Sequence, residues 1–187
     1  MTRFHLIATI LFVGAVSIPA HSDTIRGKGT SMNVDAGYGI KINRYSSLDR
    51  EWIIVNDPSL PVSMEEITPR TVIADRNWIH EITYRLKVDK PVSAIEVRFI
   101  PFDIWGEKSQ TLTSTTIADH SAGEVRSTGR WRILSDAEAK EHFALVGYVA
   151  RIKLVTGEIL RADEGAVVSV AQEFSGDFTT GDLDAND

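Results

Sequence analysis

From Trp78 onward the chain alternates apolar and polar residues with period two. Ile82, Tyr84, Leu86 and Val88 share one parity, while Glu81, Thr83, Arg85 and Lys87 share the other. Successive side chains of a strand point to opposite faces, so this pattern predicts a half-buried β-strand over 78–88. Lys90-Pro91 closes it. In 92–105 (VSAIEVRFIPFDIW) Ile95, Val97 and Phe99 alternate with Glu96 and Arg98. The phase is lost at Phe99-Ile100-Pro101, where a bulge is expected because proline brings no ladder N–H. Gln110 to Ile117 reads as a Thr-rich edge strand. Val125, Ser127, Gly129, Trp131 and Ile133 alternate with Arg126, Thr128, Arg130 and Arg132.

In Ala144 to Val155 the pattern places Val146, Tyr148, Ala150, Ile152 and Leu154 inward, with Arg151 and Lys153 outward. Thr156-Gly157 predicts a tight hairpin to Glu158–Ala162. Ala166 to Phe174 reads as a final strand or short helix. Three shorter strands are expected at Gly37–Tyr45, Glu51–Asn56 and Pro61–Ile67, with turns at Asp57-Pro58 and Thr68-Pro69. Ser135-Asp136-Ala137-Glu138 is a capping box, which predicts a helix over about Asp136–Phe143. Seven to nine strands with turns every 8–14 residues predict an all-β, antiparallel, immunoglobulin-like β-sandwich with one short helix. A small β-barrel is the alternative.

The two ends break the alternation. Arg3 and His5 precede an apolar run, Leu6 to Val16, followed by Pro19 and the small residues Ala20 and Ser22. Charged start, short apolar stretch and small-residue cleavage site are the parts of a signal peptide over 1–22. Eleven apolar residues are too few to span a bilayer, which takes about 20. The cut is expected before Asp23, or after Ala20. Residues 23–36 are polar and aperiodic and read as a flexible N-terminal segment. The sandwich domain is then 37–174. Residues 175–187 (SGDFTTGDLDAND) carry acid and no base, and read as an acidic disordered tail.

Composition narrows the rest. The chain has no cysteine, which removes disulfides, thiolate metal sites and thiol nucleophiles together. A formal charge of −6 argues against nucleic acid as the partner. No second stretch approaches 18 apolar residues, so no membrane span is expected in the mature chain. Periplasm or exterior is the expected location.

Between Trp78 and Val170 the run AIEVRFIPFDIWGE, then AGEVRSTGRW, then the hairpin GYVARIKLVTGEIL resembles an immunoglobulin or fibronectin type III-like module. Small exported bacterial sandwiches of uncharacterised function carry a similar arrangement. The resemblance covers about half the chain, implies the fold and export, and assigns no functional residue.

Candidate chemistry is sparse. His80, His120 and His142 form no metal-ligand spacing. Asp182-x-Asp184-x-Asn186 begins like a calcium loop but lacks its glycine and final glutamate. Gly27-Lys28-Gly29 does not complete a dinucleotide fingerprint. No nucleophile elbow occurs. Asp103 and Glu107 flank a turn. No cofactor is expected, and a binding role is favoured over catalysis. Two surfaces stand out. Arg85, Lys87, Arg126, Arg130 and Arg132 lie at outward positions of two strands that would be neighbours, a basic stripe suited to an acidic partner or to the chain's own tail. Trp105, at a turn, is the exposed aromatic suited to a carbohydrate. The leading expectation is a non-enzymatic module that binds another exported protein through a sheet face or edge. The alternatives are a carbohydrate- or envelope-polymer-binding module and a hydrolase with a strand-assembled site.

Overall fold

The structure, a computed structural model, describes residues 22–29, 33–35, 41–43, 50–74, 77–133 and 142–184. Its strands in chain order are β1 (Asp23–Gly29), β2 (Asn33–Asp35), β3 (Lys41–Asn43), β4 (Arg50–Asn56), β5 (Val62–Ala74) and β6 (Asn77–Val88). They continue with β7 (Val92–Asp103), β8 (Leu112–His120), β9 (Gly123–Ile133), β10 (His142–Leu154) and β11 (Ile159–Arg161), followed by helix α1 (Glu164–Ala171). The larger sheet has the order β1-β4-β10-β7-β8, with β11 also on β10. The smaller is β5-β6-β9, and β2 and β3 form a separate pair. Pairing is antiparallel except between β4 and β10, which run parallel over Glu51–Val55 and Ala144–Tyr148. The expected β-sandwich with a short helix is what the chain forms, and the described strands close no barrel.

The two sheets pack face to face. Val62, Met64, Ile67, Ile82, Tyr84 and Leu86 of the smaller sheet meet Ile54, Ile95, Val97, Phe99, Leu145 and Ile152 of the larger. Trp52 packs into the same core, and its indole lies across Gly27, its direct partner on β1. A Cβ at Gly27 would sit 2.0 Å from that ring, so glycine here leaves the space the indole fills. Asn56 joins the sheets at one side, its side chain accepting from Met64 N at 2.8 Å and donating to Met64 O at 3.0 Å.

The larger sheet is buried on its other face as well. Ile53, Val55, Ile100, Phe102, Val146 and Tyr148 form a second core with Val167, Val170 and Ala171 of α1 and with Phe178 and Leu183 beyond it. The molecule therefore has three layers: small sheet, large sheet, and a cover made of α1 and the C-terminal segment. Helix α1 is started by Asp163, whose carboxylate accepts from Gly165 N. Asp163 N in turn donates to Asp57 at 2.7 Å. Hydrogen bonds from Asp163 and Ser59 hold the Asp57 carboxyl below the usual aspartate range, against the opposing effect of burial.

Several expectations need correction. Asp23–Gly29 is a strand paired along its length with β4, where a flexible lead-in was expected. The acidic stretch is structured through Asp184: Phe178 and Leu183 are 3% and 1% exposed. Two apolar side chains are enough to dock a short segment whose other residues are mostly exposed. Arg26 also clamps it, with both guanidinium nitrogens on the Glu173 carboxylate at 2.8 and 2.6 Å. Thr68-Pro69 is no turn but part of β5. That strand is an edge, where a missing N–H leaves no ladder bond unmade.

The helix expected over Asp136–Phe143 lies outside the described residues as far as Glu141. His142 and Phe143 open strand β10 instead. The short helix stands at Glu164–Ala171, within the reach of the strand-or-helix reading of Ala166–Phe174. The bulge expected at Phe99–Pro101 is absent; irregularities fall at Phe143 and Ala150 of β10 and at Ser93 of β7. Pro101 is tolerated because its carbonyl faces away from β10, accepting from Ser109 N. Its missing N–H therefore faces the same way, beyond the last β7–β8 pair, Phe99–Leu112. The extra residue at Ala150 inverts the phase of β10. Ile152 consequently faces the inner core, whereas Tyr148 faces the helix. The signal peptide reading concerns residues outside the described set, Ser22 excepted.

Candidate binding cleft

Trp105 is 73% exposed at the tip of the loop after β7. The backbone of that loop is held by hydrogen bonds to Asp103. Asp103 Oδ1 accepts from Trp105 N at 2.8 Å and Glu107 N at 2.9 Å, while Asp103 O accepts from Gly106 N. The Asp103 carboxylate thus organises the backbone of the turn. Gly106 has φ +79, and a Cβ there would lie 2.5 Å from Phe174 O. Only glycine fits both the backbone conformation and the close approach of the C-terminal segment.

That approach creates a cleft of about 480 Å³ between the Trp105 loop and residues 174–182. Trp105, Glu107 and Lys108 line one side, and Phe174, Asp177 and Asp182 the other. Phe174 and Phe178, which line it, pack on the buried Phe102 beneath, at 5.4 and 5.8 Å between ring centres. The far wall is fixed by short-range bonds. Thr179 N and Oγ1 both donate to Asp182 at 2.8 and 2.7 Å, and these bonds hold the Asp182 carboxyl below the usual aspartate range. Gln172 Nε2 reaches Phe178 O. Burial lowers the pKa of the Lys108 ammonium, with Asp182 opposing. An exposed indole beside a cleft edged by carboxylates and one ammonium can stack a flat apolar ring face, while the carboxylates accept hydrogen bonds from hydroxyls around the rim.

The basic stripe has a different character from the one expected. β6 and β9 are neighbours, and Arg85 stands directly opposite Arg126. Acids are interleaved with both. Arg85 pairs with Glu65, with Glu66 at 3.2 Å and with Glu124 at 3.7 Å. Arg126 reaches Glu66 at 3.9 Å, Arg130 reaches Glu81 at 2.8 Å and Lys87 reaches Asp89 at 3.2 Å. Among the described residues, Arg132 has no acid within ion-pair distance. The stripe is mostly an internally balanced face. The described part of the tail does not lie on it either, since Asp184 meets Arg98 on the opposite sheet.

His80 and His142 are buried with ring centres 5.0 Å apart. Among the described residues, no three His, Asp or Glu side chains converge as a metal site. No described helix is long and apolar enough to cross a membrane. The half of the cleft that sequence reasoning missed is its C-terminal wall. The available signal was the three apolar residues Phe174, Phe178 and Leu183 set into an otherwise polar, acidic stretch.

Comparison with known proteins adds little to this geometry. No family model matches the chain, and no curated protein matches it. A crystal structure of a hypothetical protein from Peptoclostridium difficile 630 is similar with a TM-score of 0.46 and 6% identity, over 66% of this chain and 95% of that one.

Proposed function

We propose that this protein is an exported, non-enzymatic binding module of the envelope or exterior whose ligand is a polyhydroxylated polymer held in the Trp105 cleft. The observation that carries the reading is the exposed indole at the mouth of that cleft, on a loop whose backbone Asp103 holds. A large aromatic side chain left in water forgoes roughly 1.5–3 kcal/mol of burial, so a loop that presents one there favours a stacking partner. Export rests on the sequence pattern of residues 1–22. The internal pairing of Arg85, Lys87, Arg126 and Arg130 leaves the competing idea, an acidic protein docked on the stripe, with less support.

Depletion assays with insoluble polysaccharides and cell-wall material test the reading. The protein should be removed from solution by at least one of them, with quenching or a shift of tryptophan emission. Trp105→Ala should reduce binding about tenfold or more without moving the thermal midpoint. Equal binding by wild type and variant, or no binding to any polysaccharide, would overturn the proposal.

A further inference from the structure

The cover over the larger sheet stops short, and strand register identifies what is left open. Ile159 pairs with Lys153, Lys153 with Ala94, and Ala94 with Ile117. Directly opposed residues share a face, so these four form one row across β11, β10, β7 and β8. The next row, two residues along each strand, is Arg161, Arg151, Glu96 and Thr115. The row after that holds Tyr148, Arg98 and Thr113. Tyr148 belongs to the core under α1, which places all three rows on the outer face. The first row lies beyond the cover, and the second borders it. Ile117 is 83% and Ile159 57% exposed, and Lys153, Arg151 and Arg161 are exposed as well.

The charges here are not balanced as they are on the other sheet. Arg151 and Arg161 are direct cross-strand partners, a like-charge pairing that costs stability. Glu96 is buried and already engaged, accepting from Arg151 Nε at 2.7 Å and Arg98 Nε at 3.0 Å. Glu164 and Asp184 sit only at the covered end, around a notch of about 250 Å³ that they share with Arg98, Arg151 and Arg161. No described acid forms an ion pair with Lys153 or Arg161. Two exposed isoleucines thus share this face with Lys153 and Arg161, and with Arg151, whose charge Glu96 offsets.

We propose that this open half of the larger sheet docks on an anionic membrane surface. Cations near such a surface are each attracted appreciably, and apolar side chains on the same plane enter the headgroup boundary.

The test is co-sedimentation of the full chain with phosphatidylcholine vesicles and with vesicles containing phosphatidylglycerol. The Lys153→Glu/Arg161→Glu variant retains Leu6–Val16, so any binding through that run is common to both proteins. Wild type should partition onto anionic vesicles at least about tenfold better than onto neutral ones, and lose that preference by 0.5 M salt. The double charge reversal should abolish the preference. Ile117→Ser/Ile159→Ser, at exposed positions, should weaken anionic binding severalfold and serves as the second variant if the first does not fold. Equal partition onto both vesicle types, or unchanged anionic binding by a folded variant, overturns the proposal. Binding to polyglutamate but not to vesicles, lost in the same variants, also overturns it, in favour of an acidic polypeptide. Trp105→Ala should leave vesicle binding unchanged, which separates this outcome from that of the cleft.

Discussion

Phe178→Ala should destabilise the protein by about 3–5 kcal/mol in denaturant unfolding. The ring is 3% exposed and packs on Phe102 at 5.8 Å, in the core formed by α1 and the outer face of the larger sheet. Truncation removes apolar contacts and leaves a cavity, because β7 and β10 are held in the ladder and cannot collapse into it. The same change in a frayed tail would cost a few tenths of a kcal/mol. The size of the effect therefore reports whether residues beyond 174 belong to the fold.

Phe99→Ala should cost a similar amount, about 3–5 kcal/mol, on the opposite side of the same sheet. Phe99 is fully buried between the sheets, with ring centres 5.5 Å from Tyr84 and 5.9 Å from Trp131. Gly147, its partner on β10, would place a Cβ 3.0 Å from the ring. Phe99 and Phe178 belong to separate clusters divided by the sheet backbone. Their effects should add to within about 0.5 kcal/mol in the double variant. A much smaller combined loss would mean that the two cores are one.

Reading the sequence succeeded where strands are buried on one face and failed where they are buried on both. β6 alternates cleanly because its outer side meets water, so Ile82, Tyr84 and Leu86 are assigned to the core by parity alone. β4, β7 and β10 lie in the middle layer. Trp52-Ile53-Ile54-Val55 gives no face, Phe99–Phe102 loses phase, and Ala144–Ala150 is apolar almost throughout. Such runs are the signature of strands covered on both sides, and the covering element had to be sought elsewhere in the chain. The cover was hidden by its composition. After α1 most residues are exposed and only Phe178 and Leu183 are deeply buried, so average polarity suggests disorder while two positions decide otherwise.

The sites were legible to different degrees. Trp105 at an exposed turn follows from Asp103, Gly106 and the end of the β7 alternation. The cleft beside it does not, because half its wall comes from residues 174–182, some 70 positions along the chain. The stripe residues Arg85, Lys87, Arg126, Arg130 and Arg132 were correctly placed on adjacent strands. Their neutralisation depends on Glu65 and Glu66 of β5, whose register with β6 no parity argument supplies. The open cationic face needs the pairings of β11, β10, β7 and β8 together, including the bulge at Ala150.

The claim on which the cleft and the three-layer fold both rest is that the C-terminal segment is a fixed part of the domain. Amide hydrogen exchange of residues 172–184 under native conditions tests it most directly. The N–H groups of Phe174, Ser175, Phe178, Asp182 and Leu183 donate to backbone carbonyls. They should exchange at least about a hundredfold more slowly than an unstructured chain, and Phe178→Ala should release them together. Exchange at random-coil rates in the wild-type protein would contradict the account.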